Sequence, residues 1–215
     1  MTEDLDATGV RRMFIAVAEA MLASIERLTE ADQAVGDGDH GIGMRRGFSA
    51  VHDYLEKNKP AGIAEIFIAV GSAVMANTGG ASGAIFGTLF RAGGSVCAEV
   101  STFDSTRFAA FLEAGLAAVE KRGGAAPGGK TMLDALAPAA RAARAAVGNG
   151  LAATLAAAAE AALAGVEATK AMVATTGKAR TLGERSLGHP DPGAISLSIV
   201  LGAMSSSVAA QSRAA

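Results

Sequence analysis

Thr29–Phe48 reads TEADQAVGDGDHGIGMRRGF and crowds Asp32, Asp37, Asp39 and His40 between glycines. Carboxylates this close repel: at 4 Å each pair costs roughly 1 kcal/mol in water and about 4 kcal/mol near a protein surface. No basic residue stands in the stretch before Arg45, so an added cation is the expected counter-charge. The donors are oxygens, without a cysteine, which suits a hard divalent ion, Mg2+ before Zn2+. Gly36 and Gly38 allow the turn that would aim Asp37 and Asp39 at one centre. Gly41 and Gly43 then open an apolar helical pattern, as a phosphate-cradling loop would. A solvated acidic turn with helix-capping aspartates uses the same residue types, so both readings stand at this point. An EF-hand does not fit, because Gly41 replaces its third ligand and Phe48 its closing glutamate.

On either side the pattern is helical. Upstream, Val10, Met13, Phe14, Val17, Met21, Ile25 and Leu28 recur at helical spacing and predict one amphipathic helix over Val10–Leu28. Downstream, Met44, Phe48, Val51 and Leu55 mark a second that ends before Pro60, and Ile63–Met75 a third. Asn77–Ser82, NTGGAS, leads into a fourth; a glycine pair before a small hydroxyl residue suits an anion-binding helix start, although glycines also end helices. Ser105–Arg122 is a fifth, closed by Gly123–Gly124.

Gly124–Thr131, GAAPGGKT, satisfies the P-loop spacing GxxxxGK[ST]. A P-loop needs a buried strand before it, whereas FAAFLEAGLAAVEKR has helical period and a charged end, so that fold is rejected. Lys130 is instead expected to touch nucleotide by neutralising charge or to cap a helix. A sixth helix follows through Met132, Leu133 and Leu136, with Pro138 inside it, and a seventh, alanine-rich, over about Leu151–Val173. Thr175–Asp191, TTGKARTLGERSLGHPD, lacks apolar period and holds Lys178, Arg180, Arg185 and His189; its length and polarity point to function. Pro192–Gly193 opens the last helix. The result is an all-α chain of about eight amphipathic helices, one domain over residues 1–215, with no convincing strand.

Composition agrees. Half of the residues are hydrophobic, much of that alanine, and aromatics are only 4 %, which favours closely packed helices over sandwiched sheets. A net charge of −2 gives no electrostatic case for nucleic acid or anionic membrane. Leu151–Val166 is interrupted by Glu160 and reads as too short for a membrane span. Cys97 stands alone, so no disulfide forms within the chain, and the acidic start MTEDLDATG lacks a signal-peptide pattern; a cytoplasmic protein is expected.

Four motifs then make a resemblance specific: GDGDHGIGM at 36–44, GGASG at 79–83, PGGKTMLDAL at 127–136 and LGERSLGHPDPGA at 182–194. In this order they resemble the nucleotide-binding L subunit of dihydroxyacetone kinase. The resemblance implies a barrel of eight antiparallel helices with ADP or ATP held at one end through two Mg2+ ions on Asp32, Asp37 and Asp39. It implies nucleotide contacts at His40, Gly41, Ile42, Gly43, Ala81, Ser82, Gly123, Met132, Lys178, Asp191, Pro192 and Gly193. It also implies a separate substrate-binding K subunit, a small hydroxyketone substrate and, where phosphate comes by relay, a phosphotransfer M subunit; a homodimer of the chain is expected. Three positions depart from the family's pattern. Gly43 stands where an asparagine is usual, Gly129 replaces an aspartate, and Lys178 replaces an arginine, so a point charge replaces a bidentate fork and the nucleotide contact there is expected to differ or to pass to Arg180. Two rival classes remain: a nucleotide-loaded helical regulator that binds a transcription factor, and the nucleotide domain of a fatty-acid kinase.

Overall fold

The computed structural model describes residues 4–214; the first three residues of the acidic start and Ala215 lie outside the described residues. Nine α-helices are described: α1 (Ala7–Ala23), α2 (Ile25–Val35), α3 (His40–Lys57), α4 (Ile63–Asn77), α5 (Gly80–Val96), α6 (Ser105–Gly123), α7 (Leu133–Ala146), α8 (Leu151–Thr169) and α9 (Pro192–Ala214). Short 3-10 turns cover Val147–Asn149 and Lys178–Ser186. Among the described residues the only β pairing is one antiparallel bridge, Leu5 with Phe103. The all-α expectation holds.

The ninth helix comes from a break that apolar spacing did not reveal. At Ser24 the backbone leaves the helical region (φ −105°, ψ 5°), and its hydroxyl donates to the Ala20 carbonyl at 2.8 Å. Such back-bonding competes with the helix ladder and bends it. The single helix expected over Val10–Leu28 is therefore two. The other eight close a ring, in which α1 packs on α3 and each later helix on the next until α9 returns to α1. α2 lies outside this sequence of neighbours, against α3.

The two halves of the ring pack differently. All eight phenylalanines are buried, and they sit on α1, α3, α4, α5, α6 and the α5–α6 loop. Their rings meet edge to face or tilted, as in Phe14–Phe67 (centroids 4.9 Å apart) and Phe67–Phe111 (5.0 Å), arrangements the ring quadrupole favours. α7, α8 and α9 carry none and approach one another through alanine and glycine. By length and composition α8 (19 residues) and α9 are long and apolar enough to cross a membrane, which corrects the expectation that Leu151–Val166 is too short for a span: the helix continues to Thr169. Both helices place Leu151, Leu155, Val166, Leu197 and Leu201 in the common core.

Gly165 tests that close approach. A Cβ there would lie 2.4 Å from the Asp134 carbonyl oxygen and 2.7 Å from the Ala135 Cα. Helix propensity alone favours Gly→Ala by about 1 kcal/mol. Overpacking backbone against backbone should reverse the sign, so Gly165→Ala is expected to destabilise by roughly 1–3 kcal/mol in urea unfolding.

Candidate functional site

Because directions alternate round the ring, α3, α5, α7 and α9 all begin at one end. That end opens as a cleft of about 590 Å3 lined by His40 and Gly43, Gly80–Ser82, Met132–Leu133 and Asp191–Gly193, which are the starts of those four helices. Free amides and the positive ends of the dipoles gather there. At α5 the turn is made by Gly79 (φ 78°) and Gly80 (φ 58°), and the first bond of the helix runs from Gly83 N to Gly79 O at 3.1 Å. Gly80, Ala81 and Ser82 thus keep amides without helical acceptors.

The acidic cluster sits on the rim. Asp32, on α2, accepts the His40 amide on Oδ2 at 3.1 Å, and Gly36 makes room for Oδ1, since a Cβ there would come within 2.6 Å of it. Asp32, Asp37 and Asp39 each offer an oxygen, and the three lie within 4.8 Å of one another. The side-chain counter-charge is Lys178, whose ammonium donates to Asp39 Oδ2 at 3.0 Å and to Asp37 Oδ2. That contact holds the Asp37 carboxyl below its usual range, and the two carboxylates push the lysine further up.

His40, 8 % exposed, is wedged between two helices. Nδ1 meets Ser82 Oγ at 3.0 Å and Nε2 meets Ser196 Oγ at 2.8 Å. Burial lowers its proton affinity more than Asp32 and Asp39 raise it.

The GGKT loop is built for anchoring. Lys130 is 2 % exposed, with φ 59°, and its ammonium donates to the carbonyls of Thr169 (2.7 Å), Met172 (3.2 Å) and His189 (2.5 Å). Asp134 accepts the amides of Gly128 and, at 2.8 Å, Thr131. No strand precedes the loop, which follows α6; the P-loop reading fails on structure as on sequence. Asp191 caps α9, accepting Ala194 N at 2.7 Å, while its own amide donates to Thr169 Oγ1 at 2.9 Å.

A family model described as the DAK2 domain matches residues 34–206. This chain belongs to the DAK2 domain family. Over 177 residues it is 40 % identical to the ADP-binding subunit DhaL of PEP-dependent dihydroxyacetone kinase 1 from Listeria innocua, covering 82 % of this chain and 84 % of that subunit. It is 39 % identical over 194 residues to D-erythrulose kinase of Mycolicibacterium smegmatis, of which it spans 33 % of the length. The dihydroxyacetone kinase of C. freundii, solved with AMP-PNP and Mg2+, superposes with a TM-score of 0.72 at 28 % identity, over 96 % of this chain and 35 % of that one. The expected likeness to the L subunit is thereby established, and with it a DAK2 member's relation to kinase chains.

Of the residues singled out in this DAK2 sequence, Asp32, Asp39, His40, Gly43, Ala81, Ser82, Gly123, Met132, Lys178, Asp191, Pro192 and Gly193 line the cleft. Asp37 reaches it through Lys178. Three others do not line it. Gly41 lies under α2, where a Cβ would stand 2.1 Å from Thr29 Oγ1; Ile42 turns outward, 49 % exposed; Arg180 stays on the surface. Unforeseen cleft residues are Arg46, which donates to the carbonyls of Asn77 (3.2 Å) and Thr78 (2.9 Å), and Arg122 at the end of α6. Ser196, behind His40, was also missed; a serine inside an apolar helix gives no signal by spacing.

Asp191 makes a pH test. Desolvation pushes its carboxyl up to about 7, outweighing its bonds to the Ala194 and Gly193 amides. A carboxyl raised on folding contributes stability that is complete below its unfolded pKa and is lost as pH climbs through the folded value. Asp191→Asn keeps the cap acceptor and cannot ionise. Its Tm relative to the parent, in ligand-free protein, should therefore rise between pH 4 and pH 8; a difference flat across that range contradicts the assignment.

Proposed function

We propose that this chain is the nucleotide-carrying subunit of a two-component kinase for dihydroxyacetone or a related small hydroxyketone. One observation carries it: three clustered carboxylates stand beside four helix N-termini on one rim, in a chain alignable along most of an ADP-binding subunit. The donor set is all oxygen and compact, which fits Mg2+. Asp32, Asp37 and Asp39 would hold two Mg2+ ions, which, when bound, neutralise phosphate charge for transfer. The chain's own part is positioning. The amides of Gly80–Ser82 and the starts of α3 and α9 hold the phosphates, Ile85, Val119 and Met132 supply an apolar wall for the base, and Lys178 turns from the aspartates to the transferring end. Gly43 leaves no side-chain amide at that position, so the backbone bears that contact.

The partners follow from the same reading. A K subunit docks on the rim with the hydroxyketone, and an M subunit serves if bound ADP is recharged by relay. The chain works as one domain, as a homodimer, in the cytoplasm.

Replacing Asp37 by Asn should abolish Mg2+-dependent ADP binding in calorimetry while the helical circular dichroism persists; unchanged affinity overturns the metal assignment. The chain alone, with ATP and Mg2+, should leave dihydroxyacetone untouched in a coupled assay until a K subunit is added. Turnover by the lone chain at an ordinary kinase rate, roughly 1–100 s−1, would place the substrate site here instead.

A further inference from the structure

His40 is the one cleft residue whose two polar atoms are both held by hydroxyls from other helices, Ser82 of α5 and Ser196 of α9. The two hydroxyls differ. Ser82 is half-buried on the cleft wall, whereas Ser196 is 0 % exposed and cannot touch a ligand there. The Pro192 carbonyl also faces the imidazole. It stands one helical turn before Ser196, the residue whose hydroxyl meets Nε2.

A neutral imidazole has one donor nitrogen and one acceptor. Two arrangements satisfy the trio. With the proton on Nε2, the ring donates toward Pro192 or Ser196, and Nδ1 must accept the Ser82 proton; Ser82 then shows only lone pairs to the cleft. With the proton on Nδ1, the ring donates to Ser82 Oγ, and the Ser82 O–H is free to point at a ligand. The second arrangement leaves Nε2 bare, so something must donate to it. The Pro192 carbonyl has no proton to give. Of the groups facing Nε2, the Ser196 hydroxyl is the donor.

The start of α5 is where an anion gathers, and an anion requires donors from Ser82. We propose that Ser196 is a positioning residue: by donating to His40 Nε2 it keeps the imidazole proton on Nδ1, and so turns the Ser82 hydroxyl outward as a donor to the phosphate. This deepens the nucleotide reading above and rests on it. The polarity runs one way along the chain, from Ser196 through His40 to Ser82 and the ligand. Removing the far hydroxyl reverses it without touching any group in the cleft, because the bare Nε2 is then left facing a carbonyl.

Two measurements test this. Two-bond 1H–15N correlations of the His40 ring tell a protonated nitrogen from a bare one and need no nucleotide. The parent should carry the proton on Nδ1 and Ser196→Ala on Nε2; a proton on Nε2 in the parent, or the same tautomer in both, overturns the relay. Calorimetry with Mg2+ and ADP should show about tenfold weaker binding for Ser196→Ala, as for the loss of one hydrogen bond to a charged group. Ser82→Ala should lose as much, and the double variant no more than either. Additive losses would mean that Ser196 acts other than through Ser82, and overturn the proposal. If the parent binds no Mg2+-ADP, the nucleotide reading fails, while the ring correlations still decide the tautomer.

Discussion

In a closed ring of helices joined by short connections, direction must alternate, and here that puts four N-termini on one rim. Each terminus acts as roughly half a positive charge, so four amount to about two charges focused on a single cleft. The effect needs no basic side chain, which is why a chain of net charge −2 still has a strongly anion-seeking end. The aspartates oppose it. Asp32, Asp37 and Asp39 lie at the edge of the same cleft and would repel any polyphosphate that arrived bare. Four helix N-termini beside a carboxylate cluster suit one ligand class best, a polyphosphate that brings its own divalent ions. Lys178 shows how strongly the cation half wants filling, since its ammonium spans Asp37 and Asp39 across 141 and 139 residues of sequence.

Dipoles focus charge only if the loops between helices hold still, and Lys130 does much of that. A left-handed φ in a side-chain-bearing residue costs on the order of 1–3 kcal/mol, and burying an ammonium adds to it. Three carbonyls accept its protons, and bonds to a charged group contribute about 1.5–3 kcal/mol each, enough to offset the strain. The carbonyls come from the end of α8, the segment after it and the His189 turn. One side chain therefore ties the GGKT loop to the two stretches that lead to α9. Asp134 fixes the same loop from below through the Gly128 and Thr131 amides. The alanine-packed half of the ring, with no aromatic side chains to lock it, is the half that carries this network.

Helix spacing made most of the ring legible, because each apolar stripe faces one core and each glycine-rich loop joins two helices. The Ser24 break was not legible: its apolar neighbours keep their period across it, and only a hydroxyl turned onto Ala20 decides the bend. Local motifs likewise exposed the aspartates and the starts of α5 and α9. What stayed hidden depends on pairs far apart in the chain. The counter-charge of Asp37 comes from Lys178, and the second partner of His40 is 156 residues away. Arg122, a cation in the last turn of α6 that complements the helix dipole, also lines the cleft. GAAPGGKT matched a phosphate-binding spacing, but a left-handed Lys130 turns the ammonium into the protein instead of toward a ligand.

The placement of the three histidines bears on what the cleft can do by itself. Capture or activation of a ketone by this chain would need a nucleophile or base with a free polar atom facing the cleft. His40 has neither nitrogen free, both being held by Ser82 and Ser196. His52 lies on the outer face of α3 beside Glu19, 3.9 Å away. His189 is exposed off the cleft, and its contribution is a backbone carbonyl for Lys130. Cys97 is buried, with its thiol pushed up to about 11, so it is no nucleophile at neutral pH. The remaining cleft chemistry is amides, hydroxyls, carboxylates and the cations Arg46, Arg122 and Lys178, which position and neutralise a phosphoryl group but leave an alcohol without a base in a pocket of its own. That division of labour is the physical reason to look for the ketone on a second protein surface, set against the same rim where the four helices begin.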